Sequence, residues 1–306
     1  MVSAESSQIN DDLCTKSRNR IEQDLHVWDS IEELESGRRM VGVLNQLDHY
    51  FNLHKAPTTT VYMCSHQIDY IKSRLANVGW DCGYRNCQIL MSFLQKNRIL
   101  KRIGDIAQLQ ICLEKAWDQG KHQDYDTVGA KLFEKDVYKT TKWIGTTEVH
   151  TLFSYLGIRT TILDFSQPSG PNQQHGFLLD WIQSYFSTNE APPLYLQYSG
   201  HSVTVIGIEI TRKKRSLLLL DPQRHWFRAF SSNKTPSFFK RPFRMHPREI
   251  SRNPQYQILV LGKVTDKRNQ EANTSDTPGS LVWQPDYLLT DIERDTMKVV
   301  STIRVI

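Results

Sequence analysis

Apolar residues recur along this chain at two different periods. Val41, Leu44, Leu47 and Phe51 fall three or four positions apart, as do Cys87, Leu90, Met91 and Leu94, and then Ile103, Ile106, Leu109 and Leu113. That spacing lays one apolar stripe along a helix, so helices are predicted ahead of Pro57, directly after Gly83, and over 99–117. Two more are predicted over 147–156, with Gly157 as a left-handed cap, and over 177–186. An earlier stripe, Ile21, Leu25, Trp28, Ile31 and Leu34, lies among acidic residues and predicts an amphipathic helix. It either docks on its own domain or offers its apolar face to a partner.

Shorter apolar runs bounded by Pro, Gly or polar clusters predict strands at 58–64, 158–165, 194–198, 202–210, 217–221 and 257–262. Arg212-Lys213-Lys214-Arg215 separates two of them and reads as a solvated hairpin turn. Helices ahead of a cluster of strands predict an α+β fold, helices packed on a mainly antiparallel sheet. Three segments are expected: a polar amino-terminal piece with its helix at 1–37, one large domain at 38–264, and a tail at 265–306. The end of that tail, 297–306, is apolar enough to add an edge strand or to bind a partner.

Candidate chemistry starts at Gly79-Trp80-Asp81-Cys82-Gly83-Tyr84-Arg85-Asn86, which puts Cys82 at or beside the first turn of a helix. There the unpaired N–H groups favour thiolate over thiol, and flanking glycines admit a substrate backbone. A small buried side chain at a helix start fits the same pattern, and spacing alone leaves both readings open. His201 sits at a strand start behind Gly200, and Asp221 ends the run Leu217-Leu218-Leu219-Leu220 before Pro222. Antiparallel pairing of these strands brings Ser202 and Asp221 to one end of the sheet. A cysteine peptidase needs such a base, a group to orient it, and donors for the oxyanion.

The motif 79–86 resembles the nucleophile motif of the papain-like peptidases that cleave ubiquitin-fold modifiers. Further blocks of likeness are Trp143-Ile144-Gly145, 197–207, 217–222 and 255–260, so the resemblance runs from about Gly37 to Gly262. Within that family the likeness is to the zinc-finger-containing deubiquitinase branch. Proteases for the other modifier carry Asp-Pro-His where this chain has Asp221-Pro222-Gln223, which leaves His225 as a surface residue. The resemblance implies a papain-like fold and hydrolysis of isopeptide bonds in polyubiquitin through a thioester on Cys82. His201 is then the base, Asp221 its orienter, and Gln197 an oxyanion donor beside the Cys82 N–H. Asp126 and Glu148, with Trp143, are the implied substrate-binding residues, carboxylates to read the arginine of the Leu-Arg-Gly-Gly ubiquitin tail. Asp81 stands where the family usually has glycine, and a carboxylate beside the thiol is expected to oppose its ionisation. Two alternatives follow: a protease for another ubiquitin-fold modifier, and a non-catalytic ubiquitin-binding module.

Composition narrows the partners. With 306 residues, 39% of them hydrophobic, the chain can bury a full core. A formal charge of +5 is modest and argues against nucleic acid; the basic, aromatic and proline-rich stretch 234–248 reads as an irregular surface loop. No run approaches the roughly 20 apolar residues that span a bilayer, and the polar start, 1–10, has no signal-peptide core, so no membrane association is expected. The five cysteines are odd in number and lack Cys-x-x-Cys pairs. A reducing compartment is expected, cytoplasm and nucleus, with no metal, no cofactor and no counterpart of that branch's zinc fingers.

Overall fold

The computed structural model describes residues 36–120, 133, 136–224, 243–267, 281–296 and 302–305. The amino-terminal stripe, Asp126, His225 and most of the basic aromatic stretch lie outside the described residues.

In chain order the elements are β1 (Arg39–Met40), α1 (Val43–His54), β2 (Thr60–Met63), β3 (Tyr70–Ile71), α2 (Cys82–Lys96), α3 (Ile106–Gly120), α4 (Thr146–Tyr155) and β4 (Thr160–Phe165). Then come α5 (Gly176–Ser187), β5 (Leu194–Tyr198), β6 (His201–Ile210), β7 (Arg215–Leu220), β8 (Arg244–Met245), α6 (Pro247–Ile250) and β9 (Tyr256–Leu261). The chain continues through β10 (Lys263–Asp266), β11 (Leu281–Gln284), α7 (Asp291–Thr296) and β12 (Thr302–Arg304). An eight-stranded sheet in the order β12-β4-β9-β5-β6-β7-β8, with β2 also on β6, carries the domain. Every pairing in it is antiparallel except β12 on β4. The fold is α+β.

Three expectations change. The helix predicted over 99–117 begins only at Ile106, because Asp105 and Gln108 cap it reciprocally: the Gln108 N–H donates to Asp105 Oδ1 at 3.0 Å and the Asp105 N–H to Gln108 Oε1 at 2.9 Å. Helix α2 is not half-exposed but buried on every side from Cys82 to Leu94. It contacts β5 and β6 of the sheet as well as α3 and α4. Its polar residues are satisfied internally, Gln88 donating to the Gly104 carbonyl at 2.7 Å and Ser92 to the Ile89 carbonyl at 2.6 Å.

The third change concerns the expected tail at 265–306, whose described residues are part of the domain. β11 pairs with β10, β12 adds a parallel edge strand to β4, and Leu281, Leu289 and Val305 are buried. Arg159 fixes this piece, giving two hydrogen bonds to Glu293, at 2.6 and 2.7 Å, and one to the Leu288 carbonyl at 3.0 Å. Of the two roles open to the apolar end at 297–306, β12 takes that of the edge strand; the pairings before it join residues more than a hundred positions apart, which local pattern does not show.

Candidate active site

The sheet delivers the site. β5 and β6 are joined by Ser199 and Gly200, both left-handed at φ 41° and 73°, the two-residue turn whose twist suits a hairpin. This fixes the register Tyr198 to His201 and Gln197 to Ser202. On the other side of β6, Thr204 pairs with Leu220, so the next residue of the chain, Asp221, leaves β7 at the His201 end. His201 Nε2 faces Asp221 Oδ2 at 3.4 Å. The carboxylate is held by the Gln223 N–H, donating to Oδ1 at 3.1 Å, and by Arg224 Nε, 3.2 Å from Oδ2.

Cys82 is the first residue of α2, only 6% exposed, and opens into a cleft of about 480 Å³ shared with His201, Gln197, Trp143 and Glu148. Burial pushes the Cys82 thiol up, but hydrogen bonds from His201 and Ser202 and the charge of His201 outweigh it, and the net shift is downward. Burial likewise depresses His201, yet its bonds to Asp221 and Cys82 prevail and raise it to about 9. With Nε2 given to Asp221, Nδ1 is the nitrogen left for the sulfur. Both shifts favour the charged forms, so the arrangement can carry one proton between the sulfur and the imidazole.

Asp81 does not oppose this, contrary to expectation. Fully buried, its carboxylate accepts from Ser73 Oγ at 2.6 Å and from Arg85 Nε at 3.0 Å, while Arg85 Nη1 donates to Gln88 Oε1 at 2.9 Å. Its charge is met by a guanidinium on the next turn of α2, so it belongs to the support of the helix.

The remaining sequence candidates fall as follows. Gln197 lines the cleft, and its Oε1 accepts from the Thr146 N–H at 2.8 Å, which leaves the Nε2 donor as its free end. That contact depends on Gly145, where a Cβ would sit 2.6 Å from Gln197 Oε1. Trp143, 55% exposed, stands at the rim with its ring packed on Gly200, 2.8 Å from where a Cβ would be. Glu148 is buried and used as the cap of α4, accepting from the Gly145 N–H at 2.8 Å; burial raises its carboxyl. One of its oxygens is thereby committed to the fold. Asp126 lies outside the described residues. Among the described residues no group of three or more His, Cys, Asp or Glu could hold a metal, and no helix is long and apolar enough to cross a membrane.

Two residues of the site went unassigned in the sequence, Asn86 and Ser202. Asn86 Nδ2 donates to the Cys82 carbonyl and the Ser202 carbonyl, each at 2.8 Å, so one carboxamide ties the nucleophile's turn to the strand that carries His201. The available signal was a carboxamide one turn beyond the cysteine, beside an apolar stripe.

Several known proteins are similar to this chain. Zinc finger-containing ubiquitin peptidase 1 of Homo sapiens is 35% identical over 199 residues, 59% of this chain and 33% of that protein. The protein of that name from Rattus norvegicus is 34% identical over 195 residues, 58% of this chain and 33% of its own length. Ubiquitin carboxyl-terminal hydrolase mug105 of Schizosaccharomyces pombe is 34% identical over 158 residues, 48% of this chain and 61% of that protein. The matched region thus spans about a third of the length of the first two relatives. The crystal structure of UfSP from C. elegans has a TM-score of 0.46 at 14% identity, covering 69% of this chain and 35% of that one. Over residues 30–259, well beyond half its length, the sequence matches one peptidase family, and the chain belongs to peptidase family C78.

Proposed function

We propose that the protein is a thiol-dependent deubiquitinase that hydrolyses isopeptide bonds in polyubiquitin. The observation that carries this reading is that one buried sulfur and an imidazole share a cleft, and that the imidazole is backed by a carboxylate. The Cys82 thiolate attacks the carbonyl of the terminal glycine, and the negative charge that develops on oxygen is met by the Cys82 N–H and Gln197 Nε2. One such donor is typically worth about 3 kcal/mol of barrier. His201 passes its proton to the departing lysine amine, leaving a thioester on Cys82, and then takes a proton from the water that hydrolyses it. Asp221 orients the ring throughout. The Trp143 ring over Gly200 narrows the rim and favours a tail ending in two glycines, such as Leu-Arg-Gly-Gly.

Ubiquitin is favoured over another ubiquitin-fold modifier by Gln223 after Pro222 and by the ubiquitin peptidases among the relatives. The binding-only alternative loses its motive, since the Asp81 carboxylate is paired with Arg85. The test is a ubiquitin bearing a carboxy-terminal electrophile, run beside a probe that ends in the other modifier's tail. Ubiquitin-probe labelling that vanishes in Cys82→Ala is expected; labelling by the second probe alone, or binding without labelling, overturns the proposal. Cleavage of differently linked ubiquitin chains then reads the isopeptide specificity.

A further inference from the structure

Burial works against a charged sulfur at Cys82, and His201 reaches it from one side only. The residue after His201 approaches it as well. Ser202 is 2% exposed, lines the same cleft, and meets Cys82 through both its hydroxyl and its backbone N–H.

The direction of that hydroxyl follows from its neighbours. Asn86 Nδ2 faces two carbonyl oxygens, those of Cys82 and Ser202, and only an NH₂ group satisfies both. On the opposite side of the same carboxamide, Thr204 Oγ1 donates to Asn86 Oδ1 at 2.7 Å, which fixes the amide in one orientation. The Nδ2 so oriented also lies 3.2 Å from Ser202 Oγ, but both its hydrogens serve the two carbonyls and it has no lone pair to offer, so it cannot take the serine hydrogen. The single hydrogen of the Ser202 hydroxyl is therefore given elsewhere. Its two candidates are the Tyr195 hydroxyl and the Cys82 sulfur, and a bond to an anion is about twice as strong as one between neutral groups.

We propose that Ser202 is a further member of the catalytic centre, its hydroxyl donating to the Cys82 thiolate, with Asn86 as the positioning residue that sets the direction of that bond. The proposal deepens the deubiquitinase reading and rests on Cys82 being the nucleophile, not on which modifier is cleaved. Once the sulfur is acylated the bond has no anion to serve, so Ser202 favours the free thiolate over the thioester.

The test is the pH dependence of Cys82 alkylation by iodoacetamide, followed by mass spectrometry of the Cys82 peptide with Cys82→Ala as control. It needs no ubiquitin, so failure of the substrate reading leaves it interpretable. Among the described residues Cys64, Cys87 and Cys112 are buried, and Cys64 and Cys87 titrate far above Cys82. In Ser202→Ala the charged and titratable groups around the sulfur are unchanged: His201 with Asp221, Tyr195 and Tyr198 on β5, Glu148 on α4, and Asp81 with Arg85. The Asn86 bonds to the two carbonyls also remain. The alkylation midpoint is expected to rise by about one pH unit, with the melting temperature held. Ser202→Thr, which keeps the hydroxyl on a residue suited to a strand, is expected to follow wild type. A Ser202→Ala profile that overlays wild type overturns the proposal, as does a Ser202→Thr profile displaced as far as that of Ser202→Ala. Should Ser202→Ala fail to fold, Ser202→Val is set against Ser202→Thr, two strand-suited side chains of one shape that differ by the hydroxyl, and overlaid midpoints overturn the proposal.

Discussion

Asp81 and Asp221 both stand close to Cys82, one through the chain and the other through the sheet, and they do opposite things. Asp81 meets Arg85, a permanent cation, where both are buried at 0% and 5% exposure. Burial outweighs attraction for each member, raising the Asp81 carboxyl and lowering the Arg85 guanidinium. Such a pair returns little net stability and serves mainly to fix geometry. Asp221 meets His201, a titratable cation at the cleft edge, and there attraction wins, lifting the imidazole to about 9. A carboxylate against a fixed charge builds the helix start; against an exchangeable proton it builds chemistry.

That contrast can be broken at either end. The largest effect is expected from His201→Ala: a fall of about 10⁴-fold in kcat/KM on a ubiquitin substrate, with a melting temperature lowered at neutral pH and closer to wild type above pH 9, where the imidazolium is lost in both. Asp81→Ala should do the reverse, destabilising by about 3–5 kcal/mol in denaturant titration because Arg85 is left buried and unpaired, while the folded fraction keeps its thiol reactivity. Removing both ends, Asp81→Gly with Arg85→Met, should recover most of that stability. Gln197→Ala should lower kcat by about 10²-fold and leave KM nearly unchanged, since its donor acts on charge present only in the transition state.

The smallest effect is a displacement of the pH profile. Activity is expected to rise as Cys82 titrates, below its ordinary range, and to fall as His201 loses its proton near 9. Because the folded state raises His201, the stability it contributes is complete below the ordinary histidine pKa of about 6.5 and is lost as pH climbs through 9. Asp221→Asn should draw the alkaline limb toward neutrality. Asp81→Gly with Arg85→Met should leave it in place, and movement of the limb in that variant would erase the distinction between the two carboxylates.

Much of the site was legible beforehand. Cys82 at a helix start, His201 behind Gly200, and Asp221 at the end of an apolar run are each local patterns, and resemblance gave their order a meaning. Gln197 was named by resemblance alone; no property of a strand glutamine marks it. The part assigned to Asp81 was misjudged because its partner is chosen by packing: Ser73 reaches it from outside the helix, and Arg85 turns inward only because the surface of α2 is covered. Asn86 and Ser202 escaped for the same reason, their contacts being settled by how α2 lies on β6.

Periodicity and turn chemistry therefore determined the elements, because they depend on residues only a few positions apart. The sequence alone specified the strands from 194 to 221, the helix that opens at Cys82, and the three side chains offered at their ends. Tertiary structure decided that α2 would be buried on every side, which carboxylate would meet which cation, and which strand the chain's apolar end would join. Those outcomes rest on pairings across long stretches of chain, where the free energy of a contact depends on what desolvates it and what else competes for the same hydrogen bond.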